Sequence, residues 1–110
     1  MKIGIDIEEV KRFKALIKNR AFLSRVFSPE EINYCLSKKN SAEHFAVRFC
    51  GKEAVWKALS NSKIQITSVS FKNLNSGKPV VLINNKKKSK IQISFSHTKT
   101  VVAAVAIVED

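Results

Sequence analysis

The chain has 110 residues, 45% of them apolar, and 20 Lys and Arg against 9 Asp and Glu give a formal charge of +11. This length and composition fit one folding domain over residues 1–110 and exclude a disordered chain, a disulfide scaffold (only Cys35 and Cys50) and a membrane span, since no apolar run approaches roughly 18 residues. The basic opening is not that of a secretory leader, so a reduced, cytoplasmic setting is expected. The charge points to an acidic partner, which could be nucleic acid, anionic membrane, a phosphorylated cofactor or an acidic protein.

Met1 to Ile7 alternate strictly, with Ile3, Ile5 and Ile7 on one face and Lys2, Gly4 and Asp6 on the other. This predicts a strand whose isoleucines are buried. From Glu9 the period becomes helical: Val10, Phe13, Leu16 and Ile17 form a stripe, with Lys11, Arg12, Lys14 and Lys18 mostly off it. Ser28-Pro29-Glu30-Glu31 predicts a helix start closed by a capping box, with Ile32, Cys35 and Leu36 as its apolar stripe. A third and longest helix is predicted over residues 42–59, burying Ala42, Phe45, Ala46, Phe49, Cys50 and Trp56. Strand patterns follow over 64–71, 80–83, 91–95 and 101–108, with a turn at Asn75-Ser76-Gly77-Lys78-Pro79 and a hairpin tip over 84–89. One strand, three helices and four more strands predict an α+β fold with a mainly antiparallel sheet.

Several residues break these patterns. Glu53 lies four after Phe49 and three before Trp56, so it points along the apolar stripe of its own helix. It must meet a cation, meet a metal or lie at the core's edge, and an i,i+4 pair with Lys57 is the simplest answer. Asp6, on the polar face of the first strand, is the kind of residue that is usually solvated or caps the next helix. His97 stands at a turn between the hydroxyls of Ser96 and Thr98, which could serve a phosphate. His44 is expected at the surface, and Cys35 and Cys50 as small core residues without metal-ligand spacing. Lys86-Lys87-Lys88 with Lys90 is expected to be a charged hairpin tip. There is no P-loop, dinucleotide glycine fingerprint, CxxC or G-x-S-x-G.

Four blocks, in this order, resemble the holo-acyl-carrier-protein synthases, the small bacterial class of 4'-phosphopantetheinyl transferase. They are Gly4-Ile5-Asp6-Ile7 followed by Glu9 and Arg12; Arg48-Phe49-x-x-Lys52-Glu53-Ala54-x-x-Lys57-Ala58; Gly77-Lys78-Pro79; and Ser94-Phe95-Ser96-His97-Thr98. The resemblance implies that family's fold. It also implies transfer of 4'-phosphopantetheine from coenzyme A to a serine of apo acyl carrier protein, releasing adenosine 3',5'-bisphosphate, for fatty acid biosynthesis. By this resemblance Asp6 and Glu53 match the magnesium-binding carboxylates, and Lys57 matches a lysine that neutralises or protonates the departing phosphate. Ser96, His97 and Thr98 match the block at the nucleotide phosphates, and Gly77, Lys78 and Pro79 a loop beside the adenine. Arg48 and Lys52 are further candidates for phosphate contact. Arg12 and Arg25 match the docking arginines for the acidic carrier, and the family's trimer would place each site between neighbouring subunits. Departures are Cys50-Gly51 where two alanines are usual, Val55-Trp56 where an aromatic commonly comes first, Val101 where an aromatic is common, and a short loop after Leu59. A nucleic-acid-binding domain would interleave basic residues with exposed aromatics. Here most phenylalanines fall on predicted buried faces, so neither a nucleic-acid nor a membrane partner is expected.

Overall fold

Alternation at the start of the chain produces strand β1 (Lys2–Glu9), and four helices follow: α1 (Val10–Leu16), α2 (Arg20–Val26), α3 (Pro29–Leu36) and α4 (Ser41–Leu59). The computed structural model describes residues 1–60, 63–73 and 76–110. A 3-10 turn (Ile66–Ser68) then leads to β2 (Val69–Asn73), β3 (Pro79–Ile83), β4 (Lys86–Lys87), β5 (Ile91–His97) and β6 (Val101–Val108). The strands form two antiparallel three-stranded sheets, β1-β6-β5 and β2-β3-β4. The expected α+β, antiparallel architecture is therefore present.

The differences from expectation have local causes. Helix α2 is additional to the three expected: Asn19 Oδ1 accepts the Phe22 N–H at 3.0 Å, and Leu23 and Val26 bury its short apolar side. Residues 66–68 coil because the Ser68 backbone N–H and hydroxyl both donate to Gln65 O, so the strand begins only at Val69. The hairpin tip turns on Asn84 and Asn85 (φ 52° and 65°) between Ile83 and Lys86, which pair across it. Two left-handed residues make the turn whose twist suits a two-residue hairpin, and asparagine tolerates that conformation. Of the turn predicted at residues 75–79, Asn75 lies outside the described residues.

The larger correction concerns β1. Its alternation is as predicted, but its faces are reversed: Ile3, Ile5 and Ile7 are 66–68% exposed, while Gly4 is buried against α4. A Cβ on Gly4 would stand 2.1 Å from Ala54 O and 2.5 Å from Ala58 N, so only the glycine side of the strand can meet the helix. Trp56 is likewise 41% exposed. Helix α4 has no single apolar stripe, because it packs on the first sheet along one side and on α3 and β2 along another, and nine of its residues are buried.

The predicted capping box at Ser28 forms, and its acid does more than cap. Glu31 Oε1 accepts the Ser28 N–H at 3.0 Å and the Lys52 ammonium at 2.7 Å, while Oε2 accepts the Phe71 N–H at 3.0 Å. Lys52 also donates to Val69 O, and both ionised side chains are almost wholly buried (0% and 1% exposed). Burial pushes the Lys52 amine below the ordinary lysine range against the opposing pull of Glu31. The pair ties α3, α4 and β2 together. Lys52→Met leaves the Glu31 charge buried without its counterion, so urea unfolding should show a loss of about 3–5 kcal/mol. A loss below about 1 kcal/mol would show that the tie is dispensable.

Candidate active site

The approach of β1 to α4 at Gly4 sets what lies beyond it. Successive inward residues of β1 are Gly4, Asp6 and Glu8, and α4 presents Cys50, Glu53 and Lys57 at helical spacing. Lys57 Nζ donates to Asp6 Oδ1 and to Ile5 O, each at 3.1 Å. The i,i+4 pairing expected between Lys57 and Glu53 is thus replaced by a bond across to the strand. Asp6, expected on a solvated face, has a side chain only 10% exposed, and its Oδ2 is buried with no hydrogen-bond partner.

Asp6 and Glu53 share this corner, and Glu8 stands beside it, bonded to Arg12. Glu8 is raised to about 7, first by burial and then by the neighbouring Asp6 carboxylate; Arg12 pulls it down and Glu53 adds a smaller push upward. Glu53 is also raised, by burial first and Asp6 second, against Lys57 and Arg12. Beneath them the Cys50 thiol donates to Asp6 O at 3.2 Å and is pushed up to about 12 by burial and the Asp6 charge, so it stays protonated and inert. Mutually repelling carboxylates around a buried, unpartnered oxygen favour a cation. Two hard carboxylate donors, Asp6 and Glu53, fit magnesium, which keeps waters and substrate oxygens as its other ligands. Among the described residues, no three His, Cys, Asp or Glu side chains stand in ligand geometry. Beside Glu53 a cleft of about 360 Å³ is walled by Trp56, Ile64, Gln65 and Ile66.

The other expected residues are dispersed. His97 ends β5 with Nδ1 2.7 Å from Glu43 Oε1, at the start of α4. Ser96 pairs with Ala103 on the outer face of the sheet. Thr98 Oγ1 accepts the N–H groups of Val101 (3.1 Å) and Thr100 (3.3 Å), holding the turn. Gly77 (φ +85°), Lys78 and Pro79 lie at the start of β3; Lys78 and Pro79 line a cleft of about 240 Å³ with Lys87, Lys88 and Ile91, apart from the carboxylate corner. Arg48 is largely buried, its guanidinium over the Tyr34 ring at 4.6 Å and 3.5 Å from Asn73 Oδ1, with Nε unpartnered. Lys52, expected at the phosphates, is corrected by its burial: bound to Glu31 and Val69, it has no surface from which to reach a ligand. Arg12 and Arg25 are exposed on α1 and α2.

Two residues at these sites escaped sequence reasoning. Glu8 carries a usable signal, lying two after Asp6 on the same strand face and four before Arg12. Glu43 carries none, since its partner His97 is 54 positions away (97 − 43).

The chain matches the family model of the 4'-phosphopantetheinyl transferase superfamily over residues 2–107. It is 36% identical to the holo-[acyl-carrier-protein] synthase of Chloroherpeton thalassium, covering 99% of this chain and 98% of that protein. It is 35% identical to the one from Geotalea daltonii, covering 96% and 95%. In structure it is similar to the Bacillus anthracis holo-(acyl-carrier-protein) synthase in complex with CoA (3',5'-ADP), with a TM-score of 0.84 and 27% identity, covering 99% of this chain and 96% of that one. The Helicobacter pylori enzyme in complex with coenzyme A gives a TM-score of 0.81 and 27% identity, covering 97% and 99%. With Asp6, Glu53 and Lys57 gathered on this fold, the chain belongs to the 4'-phosphopantetheinyl transferase superfamily and, within it, to the holo-acyl-carrier-protein synthases.

Proposed function

We propose that the chain, acting as one domain in the cytoplasm, transfers 4'-phosphopantetheine from coenzyme A to a serine of apo acyl carrier protein. The reaction depends on magnesium, releases adenosine 3',5'-bisphosphate and supplies holo carrier for fatty acid synthesis. One observation carries this reading: Asp6, Glu53 and Lys57 converge from β1 and α4 around a buried carboxylate oxygen that has no partner. Asp6 and Glu53 would hold the magnesium ion, which when bound withdraws charge from the pyrophosphate under attack. Lys57, kept in place by Asp6 and Ile5, neutralises charge that builds on the departing phosphate. The apolar cleft at Trp56 suits the uncharged pantetheine arm. Ser96, His97 and Thr98 face the nucleotide phosphates with Arg48, and Gly77, Lys78 and Pro79 the adenine, while Arg12 and Arg25 meet the acidic carrier.

Lys78 and Pro79 line a cleft separate from the one beside Glu53 within one chain, and a homotrimer with sites shared between subunits would bring the two together. The outward face of the first sheet supports that assembly. Ile3, Ile5 and Ile7 stand in register with Ile107, Val105 and Ala103, an apolar surface that neighbouring copies would cover.

The direct test is the mass of a certified apo carrier after incubation with the protein, coenzyme A and magnesium. A gain of one phosphopantetheine, lost with EDTA, is expected; no gain would overturn the transferase reading. Asp6→Ala and Glu53→Ala should each lower kcat/KM by on the order of a hundredfold or more with an unchanged circular dichroism spectrum. Near-normal turnover in either would remove that residue from the site. For the assembly, light scattering should give three times 12.4 kDa for the wild type. Ile5→Glu should give the monomer mass and lose transfer; a wild-type monomer would refute the shared site.

A further inference from the structure

We propose that Glu8 is a positioning residue for carrier recognition: it fixes the Arg12 guanidinium beside the carboxylate corner, so that an acidic partner meets it already oriented. The identity of that partner rests on the transferase reading above. Arg12 Nη1 donates to Glu8 Oε1 at 2.9 Å, a bond that spans the junction between β1 and α1. The same guanidinium lies 5.7 Å from the Phe13 ring centroid and 5.5 Å from that of Phe49, and those two rings pack on each other at 5.4 Å. One edge of the cation is therefore set by a carboxylate and its position by a two-ring platform. The exposures are unequal: the Glu8 side chain is 12% exposed and that of Arg12 54%, so the acid is an anchor and the base is presented.

Glu8 takes up one donor of the five on a guanidinium and leaves the rest for an incoming carboxylate. An unfixed arginine would lose its rotamer freedom on docking, and Glu8 removes that loss in advance. The sign of its effect tells positioning from attraction. Glu8 lowers the positive charge of a face meant for an acidic partner, so if charge alone mattered the surface would bind better without it. If orientation matters, loss of the acceptor weakens docking, while an uncharged side chain that still accepts a hydrogen bond preserves it.

Glu8→Ala and Glu8→Gln separate these cases in the intact protein. Binding of apo acyl carrier protein is measured by calorimetry without coenzyme A or magnesium, and KM values for carrier and coenzyme A from the mass assay with magnesium. Glu8→Ala should weaken carrier binding and raise carrier KM about three- to tenfold, leaving the coenzyme A KM and the magnesium requirement unchanged. Glu8→Gln should stay within about twofold of wild type, because its amide oxygen still accepts from Arg12. Tighter carrier binding by both variants would show that Glu8 competes for Arg12 and would overturn the proposal. So would parallel rises in both KM values or a higher magnesium requirement, which would make Glu8 part of the cation site. If Glu8→Ala does not fold, Glu8→Ser supplies the same comparison. Because binding is read without the reaction, failure of transfer and failure of positioning give different results.

Discussion

A helix and a strand in backbone contact set the geometry of this protein. At Gly4 the first sheet comes so close to α4 that no side chain fits between them, and the surrounding residues, Ala54, Ala58, Ala104 and Ala106, are small and buried. One strand step further, that spacing brings Asp6 within 3.1 Å of Lys57. A methyl group at position 4 would have to displace backbone, and the displacement would pass directly to Asp6. The same constraint decides where the branched residues go. A strand shows alternate residues to opposite faces, so when glycine must face the helix the three isoleucines must face away. The ionised corner and the apolar outer surface are two results of one packing choice.

On its other sides α4 is held differently. Cys50, Gly51 and Lys52 are consecutive, and successive helical residues point about 100° apart. Cys50 meets the Asp6 carbonyl, and Lys52 meets Glu31. Gly51 leaves room for the edge-packed rings of Phe71 and Phe95, which would lie 2.8 Å from a Cβ there. The Gly51 departure from the usual alanine thus has a steric reason, with two aromatics filling the volume a methyl group would need. The Glu31–Lys52 tie adds direction to this packing. Apolar contact alone would let the helix slide or rotate, whereas a buried carboxylate with three donors fixes both its height and its angle.

Much of this was legible in the sequence, in proportion to how local the cause was. The capping box at Ser28 and the start of β1 each depend on residues within a few positions, and each appears where the pattern puts it. The hairpin tip expected over 84–89 narrows to Asn84 and Asn85, with Lys86 and Lys87 paired in β4. The inward face of β1 was not legible, because alternation reports two faces without saying which one is covered. Isoleucine against Lys, Gly and Asp invites the wrong choice, and only the position of α4 corrects it. Lys52 misled for a related reason: a lysine in a helix is expected at the surface unless its acid is known, and Glu31 is 21 positions away. Asp6 and Glu53 could be singled out, the first by motif and the second by a charge on an apolar stripe. That they share one corner follows from the strand-on-helix contact, which no spacing within either segment encodes.

The net charge of +11 and an acidic corner are complementary parts of one electrostatic design. The acids are used mostly as internal partners: Glu31 holds Lys52, Glu43 holds His97, Glu8 holds Arg12, and Asp6 and Glu53 share one corner. The bases are mostly solvent-facing, so the far field is positive while the near field at the corner is negative. An anion at a distance is drawn in, and a cation at contact is preferred. Salt weakens the first effect beyond a Debye length of about 8 Å and leaves the half-buried corner largely untouched. On the transferase reading proposed above, a polyanionic donor and an acidic protein would meet around a divalent cation, and this division of charge suits that task. Reversing the charges, with acids outside and bases within, would repel anionic partners and remove the carboxylates that a cation would need.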